Sequence, residues 1–87
     1  MTDFRVEVRV TPRRGILDPQ GSAVQGALRS LGFGEVGEVH VGRLIVFGLS
    51  AGSENEARER VDAMCRQLLA NPVIEDYDIR VADGSSP

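Results

Sequence analysis

Phe4, Val6, Val8 and Val10 alternate with Arg5, Glu7 and Arg9. A period of two puts successive side chains on opposite sides of an extended chain, so this segment predicts a strand with one buried and one polar face. A strand cannot hide its apolar face alone, so the rest of the 87 residues must supply a covering layer. Pro12, which has no N–H to give to a ladder, marks the end of the strand.

Two segments carry the 3.6-residue period a covering layer needs. Asp18-Pro19 offers a capping carboxylate and a proline preset for the first helical position. Val24, Ala27, Leu28 and Leu31 then fall at i, i+3, i+4 and i+7, and Gly32 supplies a left-handed stop. Further on, Ser53 and Glu56 have capping-box spacing, and Ala57, Val61, Met64, Cys65 and Leu68 line one helical face. The opposite face pairs Glu54 with Arg58, Glu56 with Arg60 and Asp62 with Arg66 at i, i+4, which marks it as solvated. Asn71-Pro72 ends that helix.

Between and after the helices the pattern returns to extended chain. Val36, Val39 and Val41 begin a second strand, Gly42-Arg43 interrupts it, and Leu44 to Leu49 resumes it. A two-residue hairpin turn and a bulge in one long bent strand both fit, and both keep the sheet antiparallel. Tyr77, Ile79 and Val81 form the last strand. The expected fold is therefore α+β, in the order β-α-β-β-α-β, with an antiparallel sheet and two helices on one face. One domain is expected over residues 1–82, with residues 83–87 as a flexible polar tail. In Leu44-Ile45-Val46-Phe47 neighbouring residues point to opposite faces, so both sides of the sheet are apolar there. That predicts an oligomer formed through the sheet face the helices leave open, with Leu44, Ile45, Val46 and Phe47 in its interface.

Composition narrows the function classes. The net charge of −3 has the wrong sign for wrapping nucleic acid. The longest unbroken apolar run, Leu44 to Phe47, is far short of the ~20 residues that cross a bilayer. No basic-then-apolar segment opens the chain, so a cytoplasmic protein is expected. The single cysteine, Cys65, and the single histidine, His40, leave no disulfide and no metal-ligand set.

Each motif with a chemical reading also has a plainer one. Gly32-Phe33-Gly34-Glu35-Val36-Gly37 matches a dinucleotide-binding pattern, but it follows a helix and enters a strand, the reverse of the order that aims a helix N-terminus at a phosphate. It reads as a helix stop and turn. His40 has neither an orienting partner nor a nucleophile nearby in sequence. Cys65 lies on the apolar helix face, where a thiol is inert core filling. Arg13-Arg14-Gly15 could hold an anion, although a solvated loop or a partner contact accounts for it as well. Acylphosphatases use an arginine in such a loop together with an asparagine on a neighbouring strand, and here Asn55 and Asn71 lie at the ends of the second helix instead. RNA-recognition modules of this topology need exposed aromatic rings on the central strand, and Arg43 to Gly48 offers one. An ACT-like module that binds small molecules remains the alternative from pattern alone.

Gly15-Ile16-Leu17-Asp18-Pro19-Gln20-Gly21 and Leu68-Leu69-Ala70-Asn71-Pro72-Val73-Ile74-Glu75-Asp76-Tyr77 resemble the two signature stretches of the PurS family, the small subunit of phosphoribosylformylglycinamidine synthase. The Leu31-Gly32 helix end and Val39-His40-Val41-Gly42-Arg43 are also similar, and the likeness runs from about residue 4 to residue 81. The resemblance implies a ferredoxin-like, PurS-like fold and a non-catalytic bridging subunit in de novo purine biosynthesis. It implies a homodimer or tetramer that joins a large synthetase subunit to a glutaminase subunit. ATP, magnesium and glutamine would be used by those partners, with no cofactor in this chain. No catalytic residue carries over; Arg14, Asp18, Gln20 and His40 are the candidate partner contacts.

Overall fold

The alternating segment at the N-terminus forms the centre of the molecule. In the computed structural model, which describes residues 1–84, it is strand β1 (Thr2–Pro12). The elements that follow are α1 (Pro19–Ser30), β2 (Arg43–Ala51), α2 (Glu54–Met64), a π-helical turn (Cys65–Leu69) and β3 (Glu75–Asp83). β1 pairs antiparallel with β2 on one side and β3 on the other, giving the order β2-β1-β3.

The register sorts every strand residue onto a face. Val6 lies between Phe47 and Val81, Val8 between Ile45 and Ile79, and Val10 between Arg43 and Tyr77. Val6, Val8 and Val10 are fully buried, and Val61, Cys65 and Ala70 close over them. Burying a valine of this kind contributes roughly 1.5–3 kcal/mol, and with few such residues this core is thin. The other face carries Arg5, Glu7 and Arg9 on β1, Asp78 and Arg80 on β3, and Leu44, Val46 and Gly48 on β2.

The α+β class and the antiparallel sheet stand, with three corrections. Val36, Val39 and Val41 form no strand, so neither a hairpin nor a long bent strand exists at Gly42-Arg43. β1 is paired with β2 from Thr2 to Val10 and with β3 from Phe4 to Pro12, and the Val41 N–H bonds to the Asp18 carboxylate at 2.9 Å rather than to a ladder. Second, the Leu44–Phe47 run lies on an edge strand, not a central one. Third, the covering layer over the core is α2 and its π-helical turn; α1 makes at most glancing contact with the sheet. Its apolar stripe stays open, with Leu31 73% exposed.

The molecule is accordingly elongated. Its Cα radius of gyration is 16.6 Å and its extents are 51 × 31 × 15 Å, against about 12 Å expected for the radius of a compact chain of this length. The helix termini follow the sequence closely. Asp18 caps α1 by accepting from the Gly21 N–H at 3.0 Å, and Pro19 takes the first turn. Gly32, at φ 101°, ends it in a Schellman arrangement, with the Phe33 N–H to the Leu28 carbonyl and the Gly32 N–H to that of Arg29. Ser53 Oγ accepts from the Glu56 N–H at 3.1 Å, and Glu56 reaches back to the Gly52 N–H at 3.2 Å.

α2 departs from a uniform period at its end. The Ala70 N–H bonds to the Cys65 carbonyl, an i to i+5 bond that widens the last turn. Leu68, expected on the buried face, is 82% exposed, and Leu69 packs on the core instead. β3 runs through Asp83, past the expected domain boundary, and the Gly84 N–H donates to the Asp3 carbonyl at 2.9 Å. Residues 85–87 of the expected tail lie outside the described residues. Among the described residues no helix is long and apolar enough to cross a membrane.

Candidate functional site

Three structures gather the residues singled out by the sequence: a joint at the start of α1, a joint at the starts of β2 and β3, and the edge formed by β2.

The first is built around Asp18. Its carboxylate accepts from the Gly21 N–H with one oxygen and the Val41 N–H with the other. These two bonds, with the charge of nearby His40, hold the Asp18 carboxyl below its ordinary pKa of 3.8. His40 Nδ1 stands 3.6 Å from Asp18 and its Nε2 stands 3.2 Å from Glu38. Gly21 is the buried residue of α1, and any side chain there would overlap the Val39 carbonyl oxygen. The glycine therefore lets the first turn of α1 lie directly on the 39–41 backbone. Ser22, Gln25, Ile16 and Leu17 complete a shallow cleft beside His40.

The second joint is ionic. Arg43 binds Glu75 with both guanidinium nitrogens, at 2.7 and 3.0 Å, and donates to the Leu69 carbonyl at 2.6 Å. Glu75 also accepts from the Asn71 N–H at 2.8 Å, and Asn71 Oδ1 accepts from the Val73 N–H. The Glu75 carboxyl is held below its ordinary pKa by the Arg43 guanidinium first and the Asn71 N–H second. One pair thus ties the first residues of both outer strands to the end of the π-helical turn. Nearby, the Tyr77 hydroxyl donates to Asp62 at 2.5 Å, which raises its pKa and anchors β3 to α2.

The remaining candidates separate. Arg14 and Gln20 are exposed, on the turn before α1 and on its first turn. Arg13 is drawn back to Asp76 at 3.4 Å, so the two arginines do not form one anion cradle. Cys65 is buried, and burial followed by the charge of Asp62 pushes its thiol pKa up. Among the described residues no three His, Cys, Asp or Glu side chains are grouped to hold a metal. Arg43 and Glu75 carry no local sequence signal that singles them out as a pair. Glu75 sits inside the second signature stretch, which was the available signal; its partner lies too far away in sequence to be read.

The likeness in the signature stretches extends to the whole chain. The family model PurS, described as phosphoribosylformylglycinamidine (FGAM) synthase, matches residues 5–83. The chain belongs to the PurS family. It is 40% identical over 78 residues to the phosphoribosylformylglycinamidine synthase subunit PurS of Methanocaldococcus jannaschii, covering 90% of this chain and 94% of that one. It is 41% identical over 80 residues to the PurS subunit of Bacillus subtilis, covering 92% and 94%. Among solved structures, M. jannaschii PurS superposes with a TM-score of 0.79 at 39% identity, covering 92% of this chain and 96% of that one. A chain of the Thermotoga maritima PurLQS structure superposes with a TM-score of 0.84 at 30% identity, covering 94% and 100%. The two stretches that resemble the family's signatures fall on the two joints, Gly15–Gly21 on Asp18 and Gly21, Leu68–Tyr77 on Asn71 and Glu75.

Proposed function

We propose that this chain is the bridging subunit of phosphoribosylformylglycinamidine synthase, working in the cytoplasm and contributing position rather than reacting groups. The observation that carries this reading is the end-to-end match to PurS subunits, including a chain in the T. maritima PurLQS structure. In the reaction, a glutaminase subunit releases ammonia from glutamine. A synthetase subunit uses ATP and magnesium to phosphorylate the amide oxygen of formylglycinamide ribonucleotide. Ammonia attacks the carbon that bears the phosphorylated oxygen, the C–O bond to phosphate breaks, and the amidine is left, protonated by the hydrogen the ammonia brought. Ammonia that reaches water is protonated and loses the lone pair it attacks with, so the two sites must be held in register.

A holding role suits what the residues do. Asp18, Gly21, Arg43 and Glu75 are committed to backbone groups and to each other. Arg14, Gln20 and the open side of His40 are the proposed contacts with the partner subunits, and Asp18 shapes that surface from beneath. Self-association is the second part of the proposal, as a homodimer or a pair of dimers. The elongated shape, the open stripe of α1 and the exposed Leu44 and Val46 support it.

Reconstitution from three purified subunits tests the reading. Omitting this chain is expected to abolish amidine formation from glutamine while leaving formation from added ammonium salt. Undiminished glutamine-dependent synthesis without it overturns the bridging role, and loss of the ammonium-driven reaction as well overturns the claim that it supplies no chemistry.

A further inference from the structure

The arginines of this molecule are engaged to very different degrees. Arg43 closes on Glu75 with two nitrogens, at 2.7 and 3.0 Å, and gives a further bond to the Leu69 carbonyl. Arg5, Arg58 and Arg80 each meet one acid through one nitrogen: Glu7 at 3.6 Å, Glu54 at 3.4 Å and Asp78 at 3.8 Å. Contacts that long and one-sided leave most of a guanidinium's planar fork turned to other acceptors. All three line a single hollow of about 390 Å³ on the β3 side of the sheet. That is within the size range of sites for small ligands.

The register explains why they converge. Arg5 lies opposite Ala82, and Arg80 opposite Glu7, on the face turned away from α2. The alanine methyl leaves a gap in that row beside two long side chains. Arg58 comes from the covering layer round the outer edge of β3, where it donates to the Ile79 carbonyl at 3.3 Å. In an antiparallel strand a residue's N–H lies on the same side as its C=O, so the N–H groups of Ile79 and, two residues on, Val81 also point outward there. Glu7 is the one acid in the wall, against three arginines. We propose that this hollow seats the phosphoryl group of a small phosphate ester, with Arg5, Arg58 and Arg80 donating to its oxygens. The ester's organic part lies against Ala82 and the outer edge of β3 at Ile79 and Val81. A doubly charged group with three terminal oxygens can draw short, charge-assisted bonds from guanidinium groups whose present contacts are long. An extended acidic peptide fits less well, because strand addition on β3 needs the Ile79 carbonyl that Arg58 already holds. The site lies apart from both joints and is independent of the bridging role. Its occupant would tie β3 to β1 and α2 at once.

Titrating the isotope-labelled full chain with phenyl phosphate, inorganic phosphate and phenol at fixed ionic strength, read by amide NMR shifts, tests this. Phenyl phosphate should bind saturably with a dissociation constant of about 1 mM or lower, its shifts centred on Arg5, Arg58 and the Ile79, Arg80, Val81 and Ala82 amides. Inorganic phosphate should move the same amides with several-fold weaker affinity, and phenol should move none. Arg58→Gln combined with Arg80→Gln should weaken phenyl phosphate binding at least ~10-fold with an unchanged circular dichroism spectrum. Ala82→Leu, which fills the gap from an exposed position, should do the same with every arginine in place. Arg60→Gln, outside the hollow, should leave the affinity as it is. Shifts spread over all exposed arginines, or equal affinity in the variants, would reduce the effect to general charge attraction and overturn the site. Equal affinity for inorganic phosphate would overturn the organic half of the proposal. Tighter binding of hexaglutamate at the same amides would give the hollow to an acidic protein segment and overturn the ligand class.

Discussion

Replacing Gly21 by alanine should free α1 while leaving the sheet intact. The added methyl would overlap the Val39 carbonyl oxygen and lie 2.7 Å from Asp18 Oδ2 and 2.9 Å from the Val39 carbonyl carbon. Two of those three atoms are backbone, so no rotamer change relieves the contact and the helix must move off the 39–41 segment. Inserting a carbon into a closed contact costs about 1–3 kcal/mol. With backbone on the other side the upper end applies, which corresponds to a factor of roughly 100 in an opening equilibrium. A 12-residue helix is marginal by itself, and α1 has little packing on the sheet to compensate. Hydrogen exchange read by mass spectrometry should therefore show α1 and the 36–42 segment losing protection on the order of 100-fold, with β1 amides within a few-fold of wild type. Wild-type protection of α1 would mean that the joint is not what holds it. Equal loss in β1 would mean that α1 and the sheet open as one unit, contrary to their separate packing.

Glu75→Gln keeps the shape of the second joint and removes its charge. Because Arg43 is half-exposed, the cost is placed at about 1–2 kcal/mol, the lower part of the range for a hydrogen bond to a charged group; a urea midpoint equal to wild type refutes it. The pH dependence has a definite sign. Asp18 and Glu75 have folded-state pKa values below their ordinary ones, so their stabilisation is present above about pH 4–5 and is lost as pH falls through the lowered values. Cys65 and Tyr77 are raised, so theirs is present below about pH 8.5–10 and is lost above it. Urea midpoints should be flat near neutrality and fall on both sides, and Asp18→Asn with Glu75→Gln should flatten the acid limb; an unchanged limb assigns it to other carboxylates. Cys65, buried and hard to ionise, should react with iodoacetamide in native buffer at least 100-fold more slowly than in denaturant, and fast native labelling would place it at a surface.

What could be read from sequence was what depends on neighbours along the chain. Asp18-Pro19, Gly32 and the Ser53–Glu56 pair each set a helix end through contacts within a few residues, and each does so in the structure. The alternation in β1 and the i, i+4 pairs Glu54–Arg58 and Asp62–Arg66 belong to the same class. The failures share the opposite cause. Val36, Val39 and Val41 have a strand's composition, but a strand needs a partner, and which edges remain free is decided by the topology. Leu68 keeps the helical period on paper, and a single i to i+5 bond turns it outward. Leu44 to Phe47 is apolar on both sides, but whether that places it inside a sheet or at its edge depends on where β3 docks.

The two signatures acquire a common meaning once their contacts are traced. The first supplies Asp18, whose carboxylate takes the Val41 N–H, and Gly21, which admits the Val39 backbone. The second supplies Glu75, which grips Arg43. Gly42, between the two grips, lies so close to β1 that a side chain there would overlap the Val10 carbonyl oxygen. Stretches far apart in sequence thus converge on Val41-Gly42-Arg43, the point where the chain passes from the α1 arm into β2. That junction sets the direction of α1 relative to the sheet and the start of β2. The bridging role proposed above asks for stiffness at such a point, and Asp18, Gly21 and Glu75 act there as a cap, a close backbone contact and a salt bridge. It follows that Gly21→Ala and Glu75→Gln, although neither touches a reacting atom, should weaken glutamine-driven amidine synthesis in the reconstituted complex more than the ammonium-driven reaction. Equal loss of both would show that the junction serves something other than alignment.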